Sequence, residues 1–161
     1  MIKKTIIIFF IFIFRLFSIG SVFATSVPVE NIFSDINSDY RYINIIHPGS
    51  CVSESSKLGK GIIIHYGVYI GPDTIIGDYC HLDTQSIIEH DCKIGNNVNI
   101  AVGVNIAGSV TIEDNVFIGV GVNIIDGITI KANSIIGAGS TVLNDTEENS
   151  VYVGTPAKRL K

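Results

Sequence analysis

The chain has 161 residues, a formal net charge of -4, and 47% apolar residues. That length and apolar share suit one domain with a sizeable core, and a second large domain does not fit beside it. The acidic balance and the scattered Lys and Arg residues exclude a broad basic face for nucleic acid.

Residues 1–25 begin with Lys3 and Lys4, continue as an apolar run from Ile6 to Phe14, and reach Val22, Phe23 and Ala24, which is the order of a secretory signal. Arg15 interrupts the run, and a charge inside a membrane-spanning helix costs about 2.5–3.5 kcal/mol on insertion scales. Three readings of this hydrophobic segment stay open: a cleaved signal, an anchor through which the chain associates with a membrane, or a remnant of another domain. Residues 26–46 read as a linker or as part of such a remnant.

From Val52 onward every sixth residue is aliphatic. The series runs through Leu58, Ile64, Ile70, Ile76, Leu82, Ile88, Ile94, Ile100, Ile106, Ile112, Ile118, Ile124, Ile130 and Ile136 to Val142, sixteen hexads without a gap. The fifth residue of each hexad is small or β-branched, as at Thr74, Cys80, Ser86, Val98 and Val104. Glycine often follows the aliphatic residue, as at Gly59, Gly71, Gly77, Gly95, Gly119 and Gly137. A period of six fits neither a 3.6-residue helix nor a lone amphipathic strand. It fits short β-strands joined by tight turns, with glycine expected to supply the unusual backbone angles. Three hexads close one coil of 18 residues, and stacked coils bury two interior ladders in the manner of a solenoid. The prediction is an all-β parallel β-helix of about five coils spanning residues 47–161.

Cys51, Cys80 and Cys92 are odd in number and have no CxxC spacing, so neither a disulfide framework nor a zinc knuckle is expected. All three read as reduced residues, buried or half-buried.

The hexads resemble the repeat of the left-handed parallel β-helix acyltransferases. Within that superfamily three stretches resemble sugar acetyltransferases of the sialic-acid O-acetyltransferase and bacillosamine-pathway N-acetyltransferase type: INIIHPGS at 43–50, SIIEHDCKIG at 86–95 with VGVNIAGSVTI following, and the closing VYVGTPAKRLK. The resemblance implies acetyl-CoA as donor, an amine or hydroxyl of a sugar or nucleotide sugar as acceptor, and a homotrimer with active sites between neighbouring subunits. Relatives of this type usually carry an N-terminal Rossmann-like domain that binds the nucleotide sugar. Gly20 is the only glycine before residue 47, so no phosphate-cradling loop is legible there, and residues 26–46 match at most the end of such a domain.

His90 is the third residue of its hexad and is expected to project outward. One coil further lies Gly108, which the 18-residue step stacks on His90 at about the usual strand spacing of 4.8 Å. A base beside an exposed backbone N–H is what acetyl transfer needs, one to take the proton from the nucleophile and one to receive the carbonyl oxygen. Asp91 or Glu89 is placed to hold the imidazole. The resemblance implicates the acid after the histidine, here Asp91 where many relatives carry Glu. It also implies cofactor contacts from Asn99, Val120 and Ala138, with Lys158 and Arg159 as partners for CoA phosphates.

His47 precedes Pro48 and reads as a turn residue. His65 and His81 raise the trimeric zinc hydratases that share the fold, but the close His-x-x-x-x-His pair of that family is absent, and no metal is expected. Because acetyl-CoA is a cytoplasmic metabolite, a cytoplasmic location is expected, with export by a signal still open. The competing readings are O-acetylation of serine or a polysaccharide unit, and a non-catalytic, degenerate β-helix lacking its acceptor site.

Overall fold

The computed structural model describes residues 42–160, and the expectations for residues 1–25 and most of 26–46 lie outside them. Strands of two residues recur every six positions, from Ile45–Ile46 to Thr141–Val142. In each, the second residue points inward and the first outward, because side chains alternate along a strand. The inward series from Ile64 to Val142 is 0–3% exposed, and the small series from Ile62 to Ser140 is equally closed except Ile128 at 7%. Each buried Ile contributes about 1.5–3 kcal/mol of transfer free energy, summed coil by coil.

The strands stack into three parallel faces. The first begins with Ile45–Ile46, Ile63–Ile64 and His81–Leu82 and continues through Asn99–Ile100, Phe117–Ile118 and Ile135–Ile136. The second runs from Cys51–Val52 to Thr141–Val142, and the third from Lys57–Leu58 to Thr129–Ile130. Register is 18 residues from Ile45–Ile46 to Thr141–Val142, as in Asn99↔Phe117 and Ile106↔Ile124. Ile45–Ile46 already pairs with Ile63–Ile64, so the solenoid starts two residues before the expected boundary at 47 and makes nearly six coils instead of about five.

At the far end the rhythm breaks. Val151–Val153 joins the first face with Val151 opposite Ile135, a step of 16 instead of 18, and Lys158–Arg159 folds back antiparallel on it. The reversed strand covers the last open edge of that face, which would otherwise be a template for pairing.

The turns correct one expectation. Every sixth residue from Gly61 to Gly139 has φ between +54° and +71°, and this is the fourth hexad position, occupied by Asp, Asn, Ser, Tyr or Gln as well as Gly. The glycines that follow the aliphatic residue have ordinary φ. Their reason is space: a Cβ on Gly77 would lie 2.5 Å from the Gly95 carbonyl oxygen of the next coil.

The cysteines divide by hexad position. Cys80 and Cys92 fill the small interior series, where their thiols reach the carbonyls of Gly95 and Ala107. Burial pushes the Cys80 thiol up to about 11 and raises Cys92 as well. Cys51 is exposed, against expectation, because it is the outward residue of its strand.

Candidate functional site

The corner between the second and third faces carries His90, with Gly108 and Asp126 following at 18-residue steps. Asp91 occupies the left-handed turn position with φ +57°, where a short polar residue such as Asp is tolerated better than a longer one. From there its Oδ2 meets His90 Nδ1 at 2.8 Å. That contact puts the imidazole proton on Nδ1 and leaves the Nε2 lone pair for chemistry. The hydrogen bond with Asp91 raises the His90 pKa above its ordinary value, aided by the charges of Asp91, Glu89 and Asp126.

Gly108 lies against the ring. A Cβ added there would come within 2.6 Å of His90 Cε1 and 2.7 Å of Nε2, so only glycine leaves the imidazole in place. The Ser109 N–H donates to the His90 carbonyl at 2.9 Å and locks the two coils in register. One feature differs from expectation: Gly108 is buried, and its N–H donates to Asp126 Oδ1 at 3.0 Å. The donor is present, but a carboxylate holds it. Asp126 was missed in the sequence, although the step that found Gly108 leads directly to it.

Val120 and Ala138 sit on a different corner, between the first and second faces. Both are exposed, and the adjoining Gly121 and Gly139 have positive φ, with no atom within 4 Å of an added Cβ. Together with Val102 and Gly103 they make an open ledge of small residues. Between the two corners the second face bears an open groove of about 390 Å³ lined by Ile87, Glu89, Asn105, Ala107, Asn123 and Asp126. Its floor is ordered by an asparagine ladder, in which Asn105 Nδ2 donates to Asn123 Oδ1 at 3.0 Å. A larger open groove of about 460 Å³ lies on the third face around Lys93, Thr111 and Glu113 and contains no histidine.

Two other expected residues stand apart from His90. Asn99 is the outward residue of its strand on the first face, stacked on His81, with its amide nitrogen 3.5 Å from His81 Nδ1. Lys158 is exposed on the terminal antiparallel strand, while Arg159 pairs with Glu147. The structure therefore gathers His90, Asp91 and Gly108, and leaves Asn99, Val120, Ala138 and Lys158 elsewhere on the same chain. His47 keeps to its turn, accepting the Gly49 N–H on Nδ1 at 2.9 Å. His65 and His81 meet with their Nε2 atoms 2.8 Å apart, and burial, followed by the charge of His65, lowers the His81 pKa. Among the described residues no helix is long and apolar enough to cross a membrane.

Residues 73–108 and 109–144 match the family described as Bacterial transferase hexapeptide (six repeats). Over 71 residues the chain is 41% identical to the GDP-perosamine N-acetyltransferase of Escherichia coli O157:H7, covering 44% of this chain and 32% of that protein. PerB from Caulobacter crescentus, solved with CoA and GDP-perosamine, superposes with a TM-score of 0.74 at 34% identity, covering 76% of this chain and 59% of that one. The acetyltransferase domain of PglB from Neisseria gonorrhoeae gives 0.75 at 25% identity, covering 76% and 60%. The chain thus spans about a third of the curated relative and about three-fifths of the solved ones. The repeats fit a left-handed β-helix, and period, coil and relatives agree that residues 73–144 are hexapeptide-repeat sequence, similar to that of sugar N-acetyltransferases of the perosamine and PglB type.

Proposed function

We propose that this β-helix transfers acetyl from acetyl-CoA to an amine of a nucleotide sugar, with His90 as general base. The observation that carries this reading is the His90 to Asp91 hydrogen bond, which aims Nε2 outward over Gly108. The names of the relatives support the substrate classes: GDP-perosamine N-acetyltransferase for the acceptor, and CoA or acetyl-CoA in the solved complexes for the donor.

Acetyl-CoA supplies an activated carbonyl carbon. The amine nitrogen bonds to that carbon, the amine proton passes to His90 Nε2, the carbon–sulfur bond breaks, and the proton leaves with the CoA sulfur. Asp91 holds the ring in the tautomer that accepts the proton. We assign Gly108 N–H to the carbonyl oxygen, and Asp126, whose side chain is exposed, must give up that N–H for it. The ledge at Val120 and Ala138 fits an extended, thin chain such as pantetheine, because nothing stands beside Gly121 and Gly139. We assign exposed Lys158 to a CoA phosphate and Asn99 to a polar contact on the first face.

His90 and the ledge occupy different corners, and we place the site between neighbouring subunits of a homotrimer, each giving one corner. A cytoplasmic location follows from the donor. Two measurements on the full chain test the reading: calorimetric titration of acetyl-CoA, and turnover with GDP-perosamine, other nucleotide amino sugars and serine as acceptors. Saturable binding that His90→Ala retains, with turnover down about a hundredfold or more, is expected. Unchanged turnover in the variant removes His90 from the chemistry. A folded protein that does not bind acetyl-CoA is a non-catalytic β-helix.

A further inference from the structure

Two imidazoles from neighbouring coils meet on the first face. His65 follows the strand Ile63–Ile64, and His81 opens the strand His81–Leu82 of the next coil. Their Nε2 atoms are 2.8 Å apart and their ring centroids 4.9 Å. The 18-residue step carries His65 onto Asp83, and the His65 N–H donates to the Leu82 carbonyl at 3.0 Å, which holds the two positions in line. One ligand atom from each of His65, His81 and Asp83 lies within 4.8 Å of the others, and all three residues are half-buried.

We propose that His65, His81 and Asp83 bind a divalent transition-metal ion of the zinc, cobalt or nickel class. Two imidazole nitrogens and a carboxylate form a three-ligand set that such ions accept with a fourth position open to solvent. Around a tetrahedral ion with bonds of 2.0–2.1 Å, two nitrogens stand roughly 3.3–3.4 Å apart. The present 2.8 Å opens to that by a small side-chain rotation, with no change in the coils. The tautomers also permit it. A hydrogen bond between the rings needs a proton on one Nε2, and binding an ion needs both lone pairs. The donating ring moves its proton to Nδ1, so charge is conserved. For His81 that Nδ1 faces the Asn99 amide, which, turned over, presents Oδ1 to accept it.

The surroundings single out this cluster. The outward column of the first face is otherwise Ile45, Ile63, Asn99, Phe117 and Ile135, and the column of His65 and Asp83 starts at His47 and continues beyond Asp83 as Ala101 and Gly119. His65, His81 and Asp83 come from two successive coils, with His47 and Asn99 one coil to either side and apolar residues beyond Asn99. Asp83 keeps one oxygen for the Thr84 N–H, at 2.9 Å, and a carboxylate has a second for an ion. His90 lies on another corner, so this site stands or falls independently of the acetyl-transfer reading.

The test uses the full chain after dialysis against chelator. Cobalt(II) is titrated while visible absorption is followed, and zinc(II) is then added as competitor. The expected result is a saturable cobalt spectrum at one ion per chain, displaced by zinc. Affinity should fall more than tenfold in both His65→Gln and His81→Ala, and less in Asp83→Asn, while His90→Ala binds as the parent does. No saturable spectrum, or one that persists in the His65→Gln and His81→Ala chains, overturns the proposal. If His81→Ala fails to fold by circular dichroism, His65→Gln and Asp83→Asn carry the comparison, and unchanged cobalt affinity in both refutes the site.

Discussion

As the proposed general base, His90 accepts a proton only when neutral. The Asp91 hydrogen bond raises its pKa, and a base whose pKa is raised becomes available only as pH climbs through that higher value. Turnover should therefore rise with pH along a limb lying above the ordinary histidine pKa of about 6.5, then level off. In Asp91→Asn the main cause of the shift is gone, and the limb should move to lower pH with a smaller plateau, since the tautomer is no longer held. Asn suits the +57° turn as well as Asp does, so this substitution leaves the backbone untouched. An unmoved limb in a pH–rate profile would show that Asp91 does not act through His90. The 18-residue step made the His90 and Gly108 pairing legible in the sequence. The capture of the Gly108 N–H by Asp126 was not, because side-chain rotamers set it.

Within an element, two strand residues never suffice for stability, and each strand depends on the coil above and below it. Ile106 is 1% exposed in the middle of the second face, while Leu58 near the start of the third is only partly buried. Ile106→Ala should cost about 2–5 kcal/mol, the range for a deeply buried branched residue with coils packed on both sides. Leu58→Ala should cost clearly less, because solvent already reaches it. Denaturant unfolding of the two variants checks the order, and equal losses would mean the coils do not unfold from the ends of the ladder inward. The same logic explains the hexad glycines. Their place in the repeat was plain from the sequence, but whether they relieve φ or make room was decided by the approach of the next coil, at 2.5 Å for Gly77.

For the whole molecule, the two corners of the proposed site pose a question of assembly. If each site takes His90 from one subunit and the Ala138 ledge from its neighbour, mixing two inactive variants restores function. Random trimers of His90→Ala and Ala138→Trp chains should regain up to about a quarter of parental activity, since a site is intact when one subunit supplies each sound corner. Mixing folded homotrimers after mild dissociation and measuring turnover tests this. No recovery would place both corners of a working site on one chain, across the groove of the second face.

The sequence by itself determined the period, the two interior ladders, the three-sided coil and the outward placement of His90, because a repeat of six leaves the backbone one way to bury an aliphatic residue at every step. The cysteines were read alike from the sequence, as buried or half-buried, and the structure separates Cys51, which faces out, from Cys80 and Cys92, which face in. The tertiary structure alone decided what happens off the 18-residue step. His65 and His81 are 16 residues apart, and no column arithmetic joins them; they meet because one side chain leaves a turn and the other a strand on the same face. The same holds for the last coil, where a step of 16 brings Val151 opposite Ile135 and a reversed strand ends the stack. Periodicity fixes what the backbone repeats, and contacts between unlike positions depend on side-chain reach, which only the folded coils reveal.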